Sequence, residues 1–97
     1  MARYLVERTF PQGFDVAPDE RGARVCLAII EQNSIDGVTW LQSFVTPDHK
    51  KSICLYDGPN PEAIRRAASR NELPVDRITE ITVLDPYFYR LAKGDTR

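Results

Sequence analysis

Few side chains in this sequence could perform chemistry, and they are spread along the chain. Glu7 interrupts an otherwise apolar segment, and Glu80 lies in a second segment of alternating polar and apolar residues. His49 is the only histidine, and Cys54 is one of two cysteines. Carboxylate, imidazole and thiolate groups are donors that divalent transition metals accept, and the first two also act as acid–base groups. Because the chain has no H-x-H, C-x-x-C or H-E-x-x-H spacing, it carries no strong metal motif.

Each of these residues also has an ordinary structural interpretation. Burying Glu7 beneath a partner is costly unless it is protonated, metal-bound or paired, and Arg8 of a partner, Arg77 or a similar cation could pair with it. His49 lies in a turn beside two lysines, where an imidazole is commonly solvated. Cys54 in a strand can be a small buried residue, and Glu80 can be solvated or paired across strands. The residue types therefore leave both interpretations open.

Residues 38–57 predict two strands joined by a turn, and this hairpin carries the only tryptophan. Pro47 and Asp48 supply the turn, since proline presets φ and aspartate can bond its own following backbone. If Thr46 pairs with Lys51, we expect the more apolar face, and therefore the core face, to contain Trp40, Gln42, Phe44, Ile53 and Leu55. The opposite face, which is suited to a partner, a ligand or solvent, then contains Leu41, Ser43, Val45, Ser52, Cys54 and Tyr56.

The segments on either side of this hairpin predict the rest of the fold. Alternating residues predict strands over 3–10 and 77–84, and helical spacing predicts a first helix over about 18–33. Asn60 and Pro61 are typical of a helix start, and Leu73-Pro74 ends this second helix. The order strand, helix, strand, strand, helix, strand is the split βαβ, or ferredoxin-like, pattern. We therefore predict an α+β fold with a four-stranded antiparallel sheet and both helices on one face.

This architecture leaves one face of the sheet uncovered, and that open face is where we expect function. Glu7, Cys54 and Glu80 are predicted to lie on it, with His49 in the turn at one end. Small proteins of this shape often pair sheet to sheet, so we expect a homodimer. The aromatic run at residues 87–89 would pack on the partner or close over a pocket, or else cover the edge of its own sheet.

Length, composition and charge exclude several classes of protein. The 97 residues predict a single domain, with a core over about 3–84 and an aromatic C-terminal tail over 85–97. Thirteen basic and 14 acidic residues give a net charge of −1, which argues against nucleic-acid binding. No apolar segment is long enough to span a membrane, and the N-terminus does not resemble a signal peptide, so we expect a cytoplasmic protein with free thiols.

Four segments of the chain carry a resemblance to a known family. They are YLVERTFPQG, GVTWLQSFVTPD, KSICLYDGPNPEAIRRAASRNELPVDRITEI and VLDPYFY, which together cover roughly residues 3–89. These segments resemble a family of small bacterial ferredoxin-like proteins, largely of unknown function, that includes a nickel-binding protein. The resemblance implies a homodimer that binds nickel or another divalent metal for sequestration or sensing. The shared segments contain no self-evident ligand motif, and the candidate metal ligands are Glu7, His49, Cys54 and Glu80.

Two other functions remain open from the sequence. One is a cofactor-free isomerase or oxygenase that acts on a small hydrophobic molecule between sheet and helices. Glu7 or His49 would then be the acid–base group, and Trp40, Ser43 and Tyr56 would line the ligand pocket. The other is a non-catalytic ligand-binding module. Because the chain has no Ser–His–acid set and no glycine-rich phosphate loop, we expect a binding protein and not an enzyme.

Overall fold

The computed structural model describes residues 1–88, and its helices and strands follow the predicted order. They are β1 (Ala2–Thr9), α1 (Glu20–Ile35), β2 (Thr39–Val45), β3 (Lys51–Gly58), α2 (Pro61–Arg70) and β4 (Arg77–Ile81). The strands form one four-stranded sheet in the order β2-β3-β1-β4, with each neighbouring pair antiparallel. The ferredoxin-like α+β prediction is confirmed. Of the predicted aromatic tail, residues 89–97 lie outside the described residues.

Both helices begin at capping residues that the sequence supplies. The Asn60 side chain accepts a hydrogen bond from the Ala63 backbone at 2.8 Å, and Pro61 occupies the first turn of α2, as expected from the sequence. In α1 the cap is Asp19, which accepts from the Arg21 backbone at 2.9 Å, so this helix begins later than Pro18. Among residues 1–88, no helix has the length and hydropathy needed to cross a membrane.

The core lies between the sheet and α2. Val6 and Tyr4 from β1 pack with Cys54 and Tyr56 from β3, and Ile64 of α2 is fully buried against them. Three alanines of α2 are also buried, and their small side chains let this helix lie close to the sheet.

The register of the central hairpin is predicted correctly from the turn to Gln42 and is shifted by one residue at Trp40, and the face assigned to the core is wrong. The Thr46 backbone donates to the Lys51 carbonyl at 3.0 Å, and Phe44 pairs with Ile53 as expected. However, Cys54 pairs with Val6, which faces the helices, so Phe44 and Ile53 lie on the open face. The apolar count failed as a criterion because the buried face tolerates polar atoms that bond to one another.

A β-bulge explains why Trp40 does not share a face of the sheet with Gln42 and Phe44, as was predicted. Trp40 pairs with Tyr56 and Gln42 pairs with Leu55, so Leu41 is an extra residue between them. Because one inserted residue reverses the side-chain alternation, Trp40 faces the helices while Gln42 lies on the open face. The bulge therefore places the only tryptophan on the same side of the sheet as Tyr56.

The connection between β1 and α1 is tied to the end of the β2–β3 hairpin. The Phe10 backbone donates to the Lys50 carbonyl at 2.7 Å, and the Phe14 backbone donates to the His49 carbonyl at 3.0 Å. The same connection passes so close to the first turns of α1 that a Cβ at Gly22 would lie 1.7 Å from the Ala17 carbonyl oxygen. These contacts hold residues 10–17 between the hairpin and α1.

Candidate functional site

The structure separates two of the predicted metal ligands that were expected to share the open face. Glu7 does lie there, with its carboxylate 4.0 Å from Arg77 Nε, which matches the ion-pair interpretation. Cys54 lies on the opposite, buried face, because its pairing partner Val6 faces the helices. The prediction that Glu7 and Cys54 lie on one face is therefore wrong.

Glu80 is also on the other side of the sheet from Glu7. It pairs with Tyr4, whose side chain is buried beneath the helices, and it is exposed on the edge strand β4. Burial first, and then the negative charges of Glu80 and Glu62, raise the pKa of Tyr4. Within residues 1–88, no group of three histidine, cysteine, aspartate or glutamate side chains converges to hold a metal ion.

His49 is held in the hairpin turn by a compact set of hydrogen bonds. Its backbone adopts a φ of 60° and donates to the Thr46 carbonyl at 2.9 Å. The Thr46 hydroxyl donates to Asp48 at 2.7 Å, and the Lys50 backbone donates to the same carboxylate oxygen at 3.0 Å. These bonds, the hydroxyl first, lower the pKa of Asp48. The turn therefore fixes where the imidazole can reach.

The imidazole of His49 meets the connection before α1. Its Nδ1 lies 3.1 Å from the Phe14 carbonyl oxygen and 3.6 Å from Asp15 Oδ1. The rings of Phe14 and His49 are 6.3 Å apart between centroids. Asp15 was not predicted as a site residue, because nothing in the local sequence indicates that this acid meets a turn of another element.

The three predicted ligand-pocket residues lie together. Trp40, Ser43 and Tyr56 line an apolar cleft of about 370 Å³ between α1 and the helix-facing side of the sheet. Cavities of this size are typical of small-molecule sites. The cleft also contains Arg8, which was not among the predicted site residues and which alternation along β1 puts on the side of Tyr4 and Val6.

Polar groups on the sheet side of this cleft bond to one another. Trp40 Nε1 donates to Ser43 Oγ at 2.8 Å, and Ser43 Oγ donates to Cys54 Sγ at 3.0 Å. Arg8 Nη2 donates to Tyr56 Oη at 3.0 Å. Burial raises the pKa of Tyr56 despite the opposing effect of the Arg8 charge, so the phenol is neutral near neutral pH.

The fold and these two sites define a small ferredoxin-like protein with a histidine-bearing turn and an apolar cleft. The family of nickel responsive proteins described as SCO4226-like matches residues 4–81. The chain belongs to this SCO4226-like family. The crystal structure of SCO4226 from Streptomyces coelicolor A3(2) is similar, with a TM-score of 0.67, 20% identity, and coverage of 87% of this chain and 100% of that chain. No curated protein matches the chain.

Proposed function

We propose that this protein is a homodimer that binds nickel, or another divalent transition metal, through His49, for metal sequestration or sensing. The description of its family as nickel responsive supports the metal. The geometry of His49 supports the ligand, and it is the observation on which the proposal rests.

The tautomer of His49 suits a metal ligand. A carbonyl oxygen has no proton to give, so the 3.1 Å contact with Phe14 is a hydrogen bond when Nδ1 carries the proton. In a neutral imidazole, Nε2 then keeps its lone pair for a metal ion. Metal-binding histidines commonly donate their other N–H to a backbone carbonyl or a carboxylate in this way. Asp15, beside the same nitrogen, can hold the ring in place or supply an oxygen ligand.

One protomer does not complete a site within the described residues. His49 and Asp15 give at most two donors, and no third candidate side chain among residues 1–88 converges on them. Transition metals bound by imidazole and carboxylate usually take more protein ligands than this. The residues therefore fit half of a site, and we assign the remaining donors to the second protomer of the dimer.

The open face of the sheet suits a dimer interface. Phe44 and Ile53 are 55% and 41% exposed there, and Leu5 and Leu55 beside them are half-buried. Apolar side chains clustered on one face of a sheet are typical of an interaction surface. A two-fold pairing of this face would bury the cluster against its own copy.

The test is nickel titration of untagged protein by calorimetry, with zinc and cobalt for comparison. We expect saturable binding that His49→Ala weakens by about tenfold or more, because loss of a hydrogen-bonded neighbour of a ligand already costs that much and His49 would be a ligand itself. Glu80→Gln is the control, because it removes a metal-competent carboxylate on the edge strand away from the hairpin turn. Paramagnetic broadening of the His49 ring protons by nickel, seen by NMR, would locate the metal independently.

Two outcomes would contradict the proposal. Nickel binding no stronger than nonspecific background would remove the metal function. Saturable binding that His49→Ala leaves unchanged would move the site elsewhere in the chain. A stoichiometry of one nickel per dimer would support a shared site.

A further inference from the structure

The apolar cleft between α1 and the sheet exists because small side chains face one another across it. Cys26 lies on the inner side of α1, while Ser43, Ser52 and Cys54 lie on the opposing strands. Larger residues at these positions would close the gap. The wall is otherwise formed by aromatic and aliphatic groups, including Phe10, Phe14, Val25 and Ile29.

Most of the polar atoms on the sheet side of the cleft have partners already. The series from Trp40 through Ser43 to Cys54 satisfies the indole and hydroxyl donors within the protein. These groups therefore need no hydrogen bonds from a ligand, and this part of the wall can contact the apolar part of a bound molecule. A volume of about 370 Å³ holds a molecule of roughly ten to fifteen non-hydrogen atoms, given about 30 Å³ per liquid water molecule.

Arg8 is the exception, because it is a buried cation with no carboxylate partner among residues 1–88. Its side chain is 3% exposed, and its guanidinium donates to the Pro74 carbonyl at 2.6 Å and to Tyr56 Oη at 3.0 Å. Its Nε has no hydrogen-bond partner, and among the described residues no carboxylate forms an ion pair with it. Burying a charge without a counter-ion is costly, so a positive charge in this position suits an anionic ligand.

The other charged group along the cleft does not neutralise Arg8. Asp15 lies at the mouth, where its side chain is 83% exposed and its carboxylate is near His49. Tyr56 accepts a hydrogen bond from Arg8 and keeps its own hydroxyl proton, which it can donate. Arg8 and Tyr56 together therefore offer a charge and donors to an oxygen anion.

We propose that this cleft binds a small organic carboxylate, with its apolar body against the wall formed by α1 and its carboxylate paired with Arg8 and Tyr56. The charge of Arg8 selects an anion, and the apolar wall selects a hydrophobic body. A charge-assisted bond in an enclosed site is stronger than the same bond in water. His49 does not line this cleft, and Asp15 is not one of the groups assigned to the carboxylate, so either proposal can fail without the other.

The experiment uses octanoate as the probe, with octan-1-ol and octylammonium as neutral and cationic controls of the same chain length. Trp40 is the only tryptophan and lies in the cleft, so its fluorescence reports binding directly. We expect saturable octanoate binding that is tighter than that of either control. Arg8→Met should weaken octanoate by about tenfold or more while leaving octan-1-ol nearly unchanged. Arg65→Met, on the exposed side of α2, should change neither.

A second variant covers the case in which Arg8→Met does not fold, as judged by circular dichroism. Cys26→Phe fills the cleft from α1 and should abolish octanoate binding measured by calorimetry. The proposal would be overturned if octanoate shows no saturable binding, if the three probes bind equally, if folded Arg8→Met keeps the wild-type affinity, or if Cys26→Phe binds normally.

Discussion

Removing Phe44 should weaken the proposed dimer strongly while changing the protomer little. Its ring is 55% exposed on the open face, so with about 200 Å² per phenylalanine it offers about 110 Å² for burial. At about 25 cal/mol per Å², and counted once for each protomer, burial of the two rings contributes about 5 kcal/mol. Alanine keeps part of that contact, so Phe44→Ala should cost about 3 kcal/mol, or about two orders of magnitude in the dimer Kd.

Sedimentation equilibrium over a range of protein concentrations measures this dissociation constant. Leu27→Ala is the matched control, because Leu27 is 54% exposed but lies on α1, away from the open sheet face. We expect it to leave the dimer unchanged. A wild-type protein that is monomeric at every concentration, or an equal effect of the two substitutions, would refute the assignment of the interface to this face.

Two further predictions concern contacts at the two ends of α1. Gly22→Ala should lower the free energy of unfolding, measured with urea, by about 1–3 kcal/mol. Alanine normally favours a helix, but here its Cβ would lie 1.7 Å from the Ala17 carbonyl oxygen. A gain in stability would contradict this prediction. Asp36, which bonds Arg70 Nε at 2.9 Å and Arg66 Nε at 3.1 Å, has a pKa lowered chiefly by the Arg70 bond. Its stabilising effect should therefore be present above about pH 4 and be lost as the pH falls through the lowered pKa. Unfolding of Asp36→Asn should depend less steeply on acid pH than that of the wild type, and parallel curves would show that the contact contributes nothing.

Local signals were sufficient to predict most of the fold. Asn60 and Pro61 fix the start of α2 because a cap and a preset φ act within one turn. The Thr46–Lys51 pairing follows from the turn chemistry of Pro47 and Asp48, and it sets the hairpin register. These features depend on a few neighbouring residues and need no tertiary contact.

The orientation of the hairpin could not be obtained in this way. Whether Phe44 or Ser43 faces the helices is decided by which side of β1 packs on α2, which is a contact between distant segments. Counting apolar residues favoured the side with Phe44, but in a sheet that is covered on one face the open side can remain apolar for a partner. The bulge at Leu41 also reverses the side-chain alternation along β2, and no local residue pattern predicts it.

The candidate sites were predictable only in part, for the same reason. His49 was found because it is the only histidine, but Asp15 reaches it through a connection whose path depends on backbone bonds to the hairpin. Trp40 and Tyr56 were both expected in a pocket, and the bulge puts them on one side of the sheet. Arg8 was missed because an arginine in an alternating strand is usually solvated at its tip, and only the fold shows that its charge is buried.

Phe14 links the two sites and leads to a prediction about both. Its carbonyl bonds His49, and its side chain lines the cleft next to Asp15 at the mouth. A nickel ion held by His49 would add positive charge beside that mouth, and it should favour an anion in the cleft. We therefore expect octanoate to bind more tightly to nickel-loaded wild type than to the metal-free protein, and His49→Ala to abolish the difference. Octanoate affinities that agree within about twofold with and without nickel would show that the two sites act independently, because the segment between them then transmits neither charge nor movement.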